Sequence, residues 1–261
     1  MASTEALEVV VQARGEISAA EREYAQSKIG ALGRLAWRPT LFARVELTVH
    51  TDPARPRPAS AKAELDVGGQ VVRAHVAAGT VREAVDLLEA RLRDRLERAA
   101  HHELSKRERL HGHDDHQWHH GDRAASRPSY FPRPIEDREL VRTKTFAVGE
   151  MTPDEAALDL ELLDHDFYLF KNLETAEDNV ITRLEPAGYQ LIETSATCSL
   201  GETAAVIEHS PTRPAEMTTE EAIEMLELAG LAFVFFVDPS DGRGRVLYHR
   251  YDGHYGLILP A

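Results

Sequence analysis

The sequence predicts an α+β protein, on three observations. Residues 1–103 read β-α-β-β-β-α, with short β-branched runs alternating with two amphipathic helices. Residues 104–138 carry no usable hydrophobic period. After them one line of sequence is written twice: "EMTPDEAALDLEL" begins at Glu150 and "EMTTEEAIEMLEL" at Glu216, 66 residues later. The match runs on without a gap through "DFYLF" and "AFVFF", "NVITR" and "RVLYH", and "GYQLIE" and "HYGLIL". Self-similarity at a fixed period marks a supersecondary unit used more than once.

The elements follow in order. "LEVVVQA" (7–13) is β-branched and reads as a strand. Ser18 with Glu21 three residues on makes a capping box for a helix whose apolar stripe is Ala25, Ile29, Leu32 and Ala36, with Pro39 as the stop. "TLFARVELTVH" (40–50) alternates as a second strand, and "PARPRP" (53–58) is a loop. Gly68-Gly69 between "AKAELDV" and "QVVRAHV" is a two-residue hairpin signal. Thr80 opens a long helix with Val81, Val85, Leu88, Leu92, Leu96 and Ala99 in one stripe. Two helices on one face of a sheet result.

Residues 104–138, with "HGHDDHQWHH" and "RPSYFPRP", read as a mobile linker. Leu140 to Phe146 resumes as a strand. Thr152, Pro153 and Glu155 start a helix, and Thr218 and Glu221 repeat that device. Each helix precedes three short β runs. Two β-α-β-β-β units are therefore expected at 139–193 and 204–261, joined by a connector at 194–203.

Composition narrows the function. The chain has 261 residues and a net charge of −14. Residues 1–110 carry +2 and residues 111–261 carry −16, so any RNA binding is expected on a local basic surface of the first half. One cysteine, Cys198, excludes an internal disulfide and a cysteine-rich zinc site. The longest apolar run, Leu231 to Val237, is too short to span a bilayer. "MASTEALEVV" has no basic region before an apolar stretch. A cytoplasmic protein without membrane association, cofactor or metal is expected.

Several residue groups are candidates. Arg91, Arg95 and Arg98 share one flank of the second helix, with Arg82 at its start; Arg22, Lys28 and Arg34 lie on the first helix, and Lys62 and Arg73 on the hairpin. Guanidinium groups suit phosphate by geometry and permanent charge. Interleaved Glu89, Asp94 and Glu97 allow the plainer reading of a solvated helix face. The seven histidines between His101 and His120 fit no closed metal site. Asp164-His165-Asp166 resembles an acid–base cluster, but the repeat has Gly230, Leu231 and Ala232 there, so a turn explains both. No nucleophile–base pair or phosphate-binding glycine loop points to an enzyme.

The strand after each repeat helix is aromatic. Phe233 and Phe235 face one way and Val234 and Phe236 the other; Phe167 and Leu169 oppose Tyr168 and Phe170. One face can be covered by the unit's own helix, through Ala222, Leu226 and Ala229 in the second copy. A unit of about 50 residues has little material for a second cover. Phe167, Tyr168, Phe170, Phe233, Phe235 and Phe236 are thus the candidates for pairing of the two units.

"KAELDVGGQVVRAHVAAG" followed by "TVREAVDLLEARLRDRL" resembles the ribosome hibernation promoting factors. "VRTKTF…MTPDEAALDLELLDHDFYLFKN…GYQLIE" is similar to the C-terminal domain of their long form, and the second copy keeps its "YDGHYGLI" ending. The resemblance implies a non-catalytic factor that occupies the small-subunit decoding region, blocks mRNA and tRNA and inhibits translation under stress. It makes the basic residues an rRNA clamp, with ribosomal proteins as further partners. Long forms pair one C-terminal domain across two chains, joining two ribosomes. Two such domains in one chain imply internal pairing, a monomer, and action on single ribosomes. The alternative is a protein–protein adaptor or transcription-associated regulator whose basic helix is only surface. If 104–138 is a tether, limited proteolysis should cut first between His111 and Arg138, releasing two stable fragments; first cuts at 194–203 would instead make the repeat units the independent bodies.

Overall fold

The computed structural model describes residues 7–50, 57–109, 133–146, 148–184, 187–200, 203 and 205–261. Two compact units divide it: one holds the N-terminal elements together with Glu161–His165, the other the remaining elements after residue 133.

In the first unit, β1 (Val9–Arg14) leads into α1 (Ala19–Ala31), followed by a 3-10 turn at Leu32–Arg34. The capping box is formed: Glu21 N–H donates to Ser18 Oγ at 3.3 Å, and Ser18 N–H to the Glu21 carboxylate at 2.8 Å. Ala25, Ile29 and Leu32 are buried as the stripe requires, but the helix stops before Ala36. Gly30 and Gly33 weaken it there. A Cβ at Gly33 would sit 3.2 Å from Leu7 Cβ, so the glycine serves the close approach of the incoming chain.

The sheet runs β1-β2-β3-β4, with β2 at Thr40–Val49, β3 at Ala59–Val67 and β4 at Gln70–Ala78. β1 and β2 are parallel, as the helical crossover dictates; the other pairs are antiparallel. Val67 opposes Gln70 across Gly68-Gly69, whose φ of +61° and +92° meet the demand of a two-residue hairpin turn for positive φ. One face of the sheet, including Val45, Leu47, Ala61, Ala63, Leu65, Val72 and Ala74, lies in the core. α2 (Val81–Arg109) buries the whole expected stripe from Val81 to Ala99. It runs on past residue 104, into the segment expected to be linker.

The second unit holds β5 (Leu140–Phe146), β6 (Glu150–Met151), α3 (Pro153–Leu162), β7 (Phe167–Asn172), β8 (Asp178–Arg183) and β9 (Tyr189–Glu193). Then come β10 (Ile207–His209), α4 (Thr219–Ala229), β11 (Phe233–Val237), β12 (Gly244–His249) and β13 (Tyr255–Pro260). Thr152 and Thr218 cap their helices with Glu155 and Glu221. The sheets are ordered β10-β9-β8-β7-β6 and β11-β12-β13-β5. The first strand of each repeat unit has therefore crossed into the other unit's sheet, β5 parallel to β13 and β10 parallel to β9. The element order of each unit is as expected, but the sequence pattern did not indicate which sheet the first strand joins.

Each sheet carries its own helix on one face. Ala156, Ala157 and Leu160 of α3 pack with Phe170, Ile181, Tyr189 and Leu191. Ala222 and Leu226 of α4 pack with Val234, Phe236, Leu247 and Leu257, whereas Ala229 is exposed in the last turn, before Gly230 ends the helix at φ +61°. The other faces meet: Leu169, Val180, Phe235 and Val246 form one buried cluster, with Phe167, Ile192, Phe233 and Ile258 against it. Phe235→Ala should cost about 3–5 kcal/mol, from lost transfer and an unfilled cavity. Leu228→Ala, at a site 92 % exposed, should change stability by no more than about 0.5 kcal/mol. Urea denaturation midpoints of the two variants check this.

Candidate functional site

The basic candidates of the first unit fall into groups. Where α1 meets α2, Lys28 Nζ lies 3.0 Å from Asp86 Oδ1, and Tyr24 Oη donates to the same carboxylate at 2.5 Å. Arg82 stands 5.0 Å over the Tyr24 ring and Lys28 5.5 Å from it. Hydrogen bonding to Asp86 raises the Lys28 pKa, and bonds from Tyr24 and Lys28 lower that of Asp86, so both remain charged. Arg82 and Lys28 thus share one tyrosine platform, a pairing that spacing along single helices does not reveal.

Alternation places Lys62, Glu64 and Arg73 on the sheet face away from the helices, where Glu64 holds Lys62 at 3.4 Å and Arg73 at 3.1 Å. Arg91 donates to the His75 carbonyl at 2.8 Å and Arg95 to the Arg73 carbonyl. Both carbonyls lie on β4, the end strand of this sheet, so the two arginines help cover its ladder edge. Arg95 is only 2 % exposed, so its guanidinium is spent inside the fold and is not offered to phosphate, against the sequence expectation; Arg91 is half-buried. Arg98 Nε donates to the Asp94 carbonyl at 3.2 Å, and Arg22 to the Ile17 carbonyl at 3.3 Å. Arg34 is exposed on the 3-10 turn. Lys62, Arg73, Arg91 and Arg95 are brought together around β4, Arg82 and Lys28 form a second group, and Arg22 and Arg34 are joined to neither by a described contact. Arg44, 5.4 Å over the Phe42 ring, shares the outward face and was not foreseen; the alternation of "TLFARVELTV" carried its signal.

Of the aromatic candidates, Phe167 and Phe233 stack at 4.7 Å between centroids, and Phe235 lies in the shared cluster. Tyr168, Phe170 and Phe236 face their own helices instead, as strand alternation requires. Leu169, Val180 and Val246 take the places between the sheets. The polar contacts across the copies are strong. Arg243 Nε donates to Asp178 Oδ2 at 2.7 Å and Nη2 to Oδ1 at 3.1 Å, and Gly244 N–H reaches Oδ2 at 3.0 Å. Arg138, just before β5, grips the Glu227 carboxylate of α4 at 2.5 and 2.6 Å, and Tyr255 Oη donates to it at 2.6 Å. The histidines from His111 to His120 lie outside the described residues. Among the described residues no cluster could hold a metal ion, and no helix is long and apolar enough to cross a membrane.

Two groups near Glu227 make the second unit acid-sensitive. Burial lowers the pKa of His249 below 6.5, against the attraction of Glu227. Burial raises that of Glu227, but hydrogen bonds from Tyr255 and Arg138 outweigh it and leave the carboxyl below 4.5. Both folded values are depressed, so both contributions are complete above the unfolded values and are lost as pH falls. Stability of this unit should decline first below pH 6.5, then again below 4.5. His249→Gln should flatten the first step, checked by urea midpoints at several pH values.

The comparisons with known proteins agree along most of the chain. Residues 9–103 match the family model described as Sigma 54 modulation protein / S30EA ribosomal protein, and residues 136–191 and 201–257 each match the model of its C terminus. The chain is 33% identical over 151 residues to a dormancy associated translation inhibitor of Mycobacterium tuberculosis, covering 50% of this chain and 55% of that one. It is 45% identical over 73 residues to a ribosome hibernation promotion factor of Picosynechococcus, covering 28% and 33%. Similarity to the chloroplastic ribosome-binding factor PSRP1 of Spinacia oleracea is 43% over 65 residues, covering 23% and 22%. The matched stretch spans about half the length of the first relative and a third or less of the other two. A solved Thermus thermophilus Protein Y N-terminal domain is 24% identical, covers 36% of this chain and 98% of its own, and has a TM-score of 0.30. With the family's first domain matched once and its C-terminal domain twice, the chain belongs to the Sigma 54 modulation / S30EA ribosomal protein family.

Proposed function

We propose that this protein is a non-enzymatic ribosome hibernation factor: its N-terminal unit binds small-subunit rRNA at the decoding region, excludes mRNA and tRNA, and stops translation on single ribosomes. The relatives named for translation inhibition and ribosome binding support the general activity. The observation that carries the single-ribosome reading is internal. The apolar faces of the two repeat sheets cover each other, with Phe167 on Phe233, and each sheet is completed by the other copy's first strand. A short tether holds the copies at an effective concentration on the order of millimolar, well above that of a second chain. The pairing surface is occupied before another molecule can reach it, so the protein is a monomer in solution. The acidic C-terminal unit is suited to basic ribosomal proteins, and the RNA contact falls to the N-terminal unit.

On RNA the two basic groups act through phosphate neutralisation. A factor making 6–10 phosphate contacts should lose about 10³–10⁵ in affinity between 50 and 200 mM salt. Arg82→Glu with Lys28→Glu should weaken ribosome binding at least about tenfold, by converting two attractions into repulsions. Arg91→Glu with Arg73→Glu should do the same and, through the lost Arg91 bond to the His75 carbonyl, also loosen β4. Sedimentation with ribosomes at several salt concentrations measures both, with circular dichroism to follow the fold. Binding unchanged in both variants would remove these residues from the interface. Light scattering and sucrose gradients test the rest: a stable dimer at micromolar concentration, or paired ribosomes on addition of pure protein, would overturn the single-ribosome reading, and a protein that never migrates with ribosomes would overturn the ribosome reading in favour of an adaptor or transcription-associated regulator.

A further inference from the structure

The offset that aligns the two copies also aligns their interface. Phe167 meets its own counterpart Phe233, and Leu169 and Phe235, Val180 and Val246, and Ile192 and Ile258 are equivalent pairs lining the same cluster. This apolar layer is close to symmetric. Alone, it would let copy 1 pair with another copy 1 almost as readily as with copy 2.

The polar end is different. Asp178 opens β8, and its counterpart opening β12 is Gly244; Glu177 corresponds to Arg243. Asp178 is only 5% exposed and receives three hydrogen bonds from copy 2, two from Arg243 and one from the Gly244 N–H. Gly244 has no room for a side chain: a Cβ there would lie 2.7 Å from the Phe235 ring and 2.9 Å from Asp178 Cβ. Sizes are exchanged between the copies. Copy 2 sets a large Phe235 over a glycine, and copy 1 has the smaller Leu169 and a carboxylate at the equivalent positions.

We infer that Asp178 in copy 1 and Arg243-Gly244 in copy 2 form a copy-specific lock, so that each copy's pairing face fits the other copy and rejects its own like. This rests on the internal pairing proposed above and names the residues that impose it. Two copy-1 faces would set Asp178 against Asp178, with Glu177 beside each and no cation between them, and a buried unpaired charge is strongly destabilising. Two copy-2 faces would leave both Arg243 side chains without this acceptor and bring two Phe235 rings to the place of one. A second chain can therefore offer copy 1 only its own copy 2, and symmetric pairing of chains through like copies is closed.

The test uses the full chain and reads hydrogen-exchange protection of the β8 and β12 amides. Asp178→Asn and Arg243→Gln should each lower protection about 10- to 100-fold, as expected for a charge-assisted hydrogen-bonded pair. The double variant should lose little beyond the worse single one, because both remove one interaction. Fully additive losses would overturn the lock. Gly244→Asp, which sets acid against acid as a like pair would, should lower protection well beyond Gly244→Ala; equal losses would reduce the site to sterics and overturn it too. Ribosome pairing by the wild-type protein together with a coupled cycle would sink the single-ribosome reading alone, whereas an additive cycle with single ribosomes would sink the lock alone.

Discussion

Neither repeat sheet closes without a strand from the other copy, and the C-terminal unit depends on that constraint. β9 and β13 would each present an unpaired row of N–H and C=O groups, a standing invitation to association. β10 and β5 fill those edges in exchange. The exchange places the two sheets so that the aromatic faces meet, and this gives Phe167, Leu169, Phe233 and Phe235 a partner that a unit of this size cannot supply from its own chain. Backbone pairing and apolar burial therefore act as one cooperative contact. Removing one copy would strip the other of an edge strand and of the cover over its aromatic face.

The N-terminal unit works under a different constraint, which is charge. Its net charge is close to zero, so the RNA binding proposed above would rest on the placement of cations. Acids sit inside both basic groups: Asp86 beside Lys28 and Arg82, and Glu64 between Lys62 and Arg73. They hold long side chains in defined positions and lessen the field. Arg91 and Arg95 on α2 satisfy carbonyls on β4, Arg95 from a buried position. The strongly acidic C-terminal half adds repulsion toward any other RNA surface. On the proposed reading, these features would favour one geometry on RNA over general adhesion.

Much of this was written locally and could be read locally. Ser18 with Glu21, Gly68-Gly69 and the stripe from Val81 to Ala99 each act within a few residues or one helix face, and each behaves as its pattern requires. The alternation of Phe233 to Val237 correctly separated a helix-facing from a partner-facing side. By the same alternation Tyr168, Phe170 and Phe236 lie on the helix-facing side and not on the pairing side. The strand exchange was not legible, because periodicity shows which way a strand's side chains point and is silent about which edge it joins. Ala36 failed for a local reason, the glycines at 30 and 33, and Ala229 because α4 ends beside it. The Asp178–Arg243 contact spans 65 residues, and nothing near either residue in the chain marks the other.

Symmetry explains why the copies could come to differ. A surface that pairs with its own like must be self-complementary: a carboxylate at one position requires its cation at another position of the same surface. Pairing inside one chain lifts that requirement, because each face meets only the other. Acid can then collect on copy 1 and base on copy 2, as Glu177-Asp178 and Arg243-Gly244 do. The first strands have diverged too: β5 runs seven residues, whereas β10 has three and stops short of Pro211. A proline there removes a ladder donor, so the shorter strand lends less backbone pairing to its host sheet. The longer strand and the buried Asp178 both come from copy 1, and the cation and glycine that receive the carboxylate come from copy 2. A contact made inside one chain leaves its two halves free to specialise for each other.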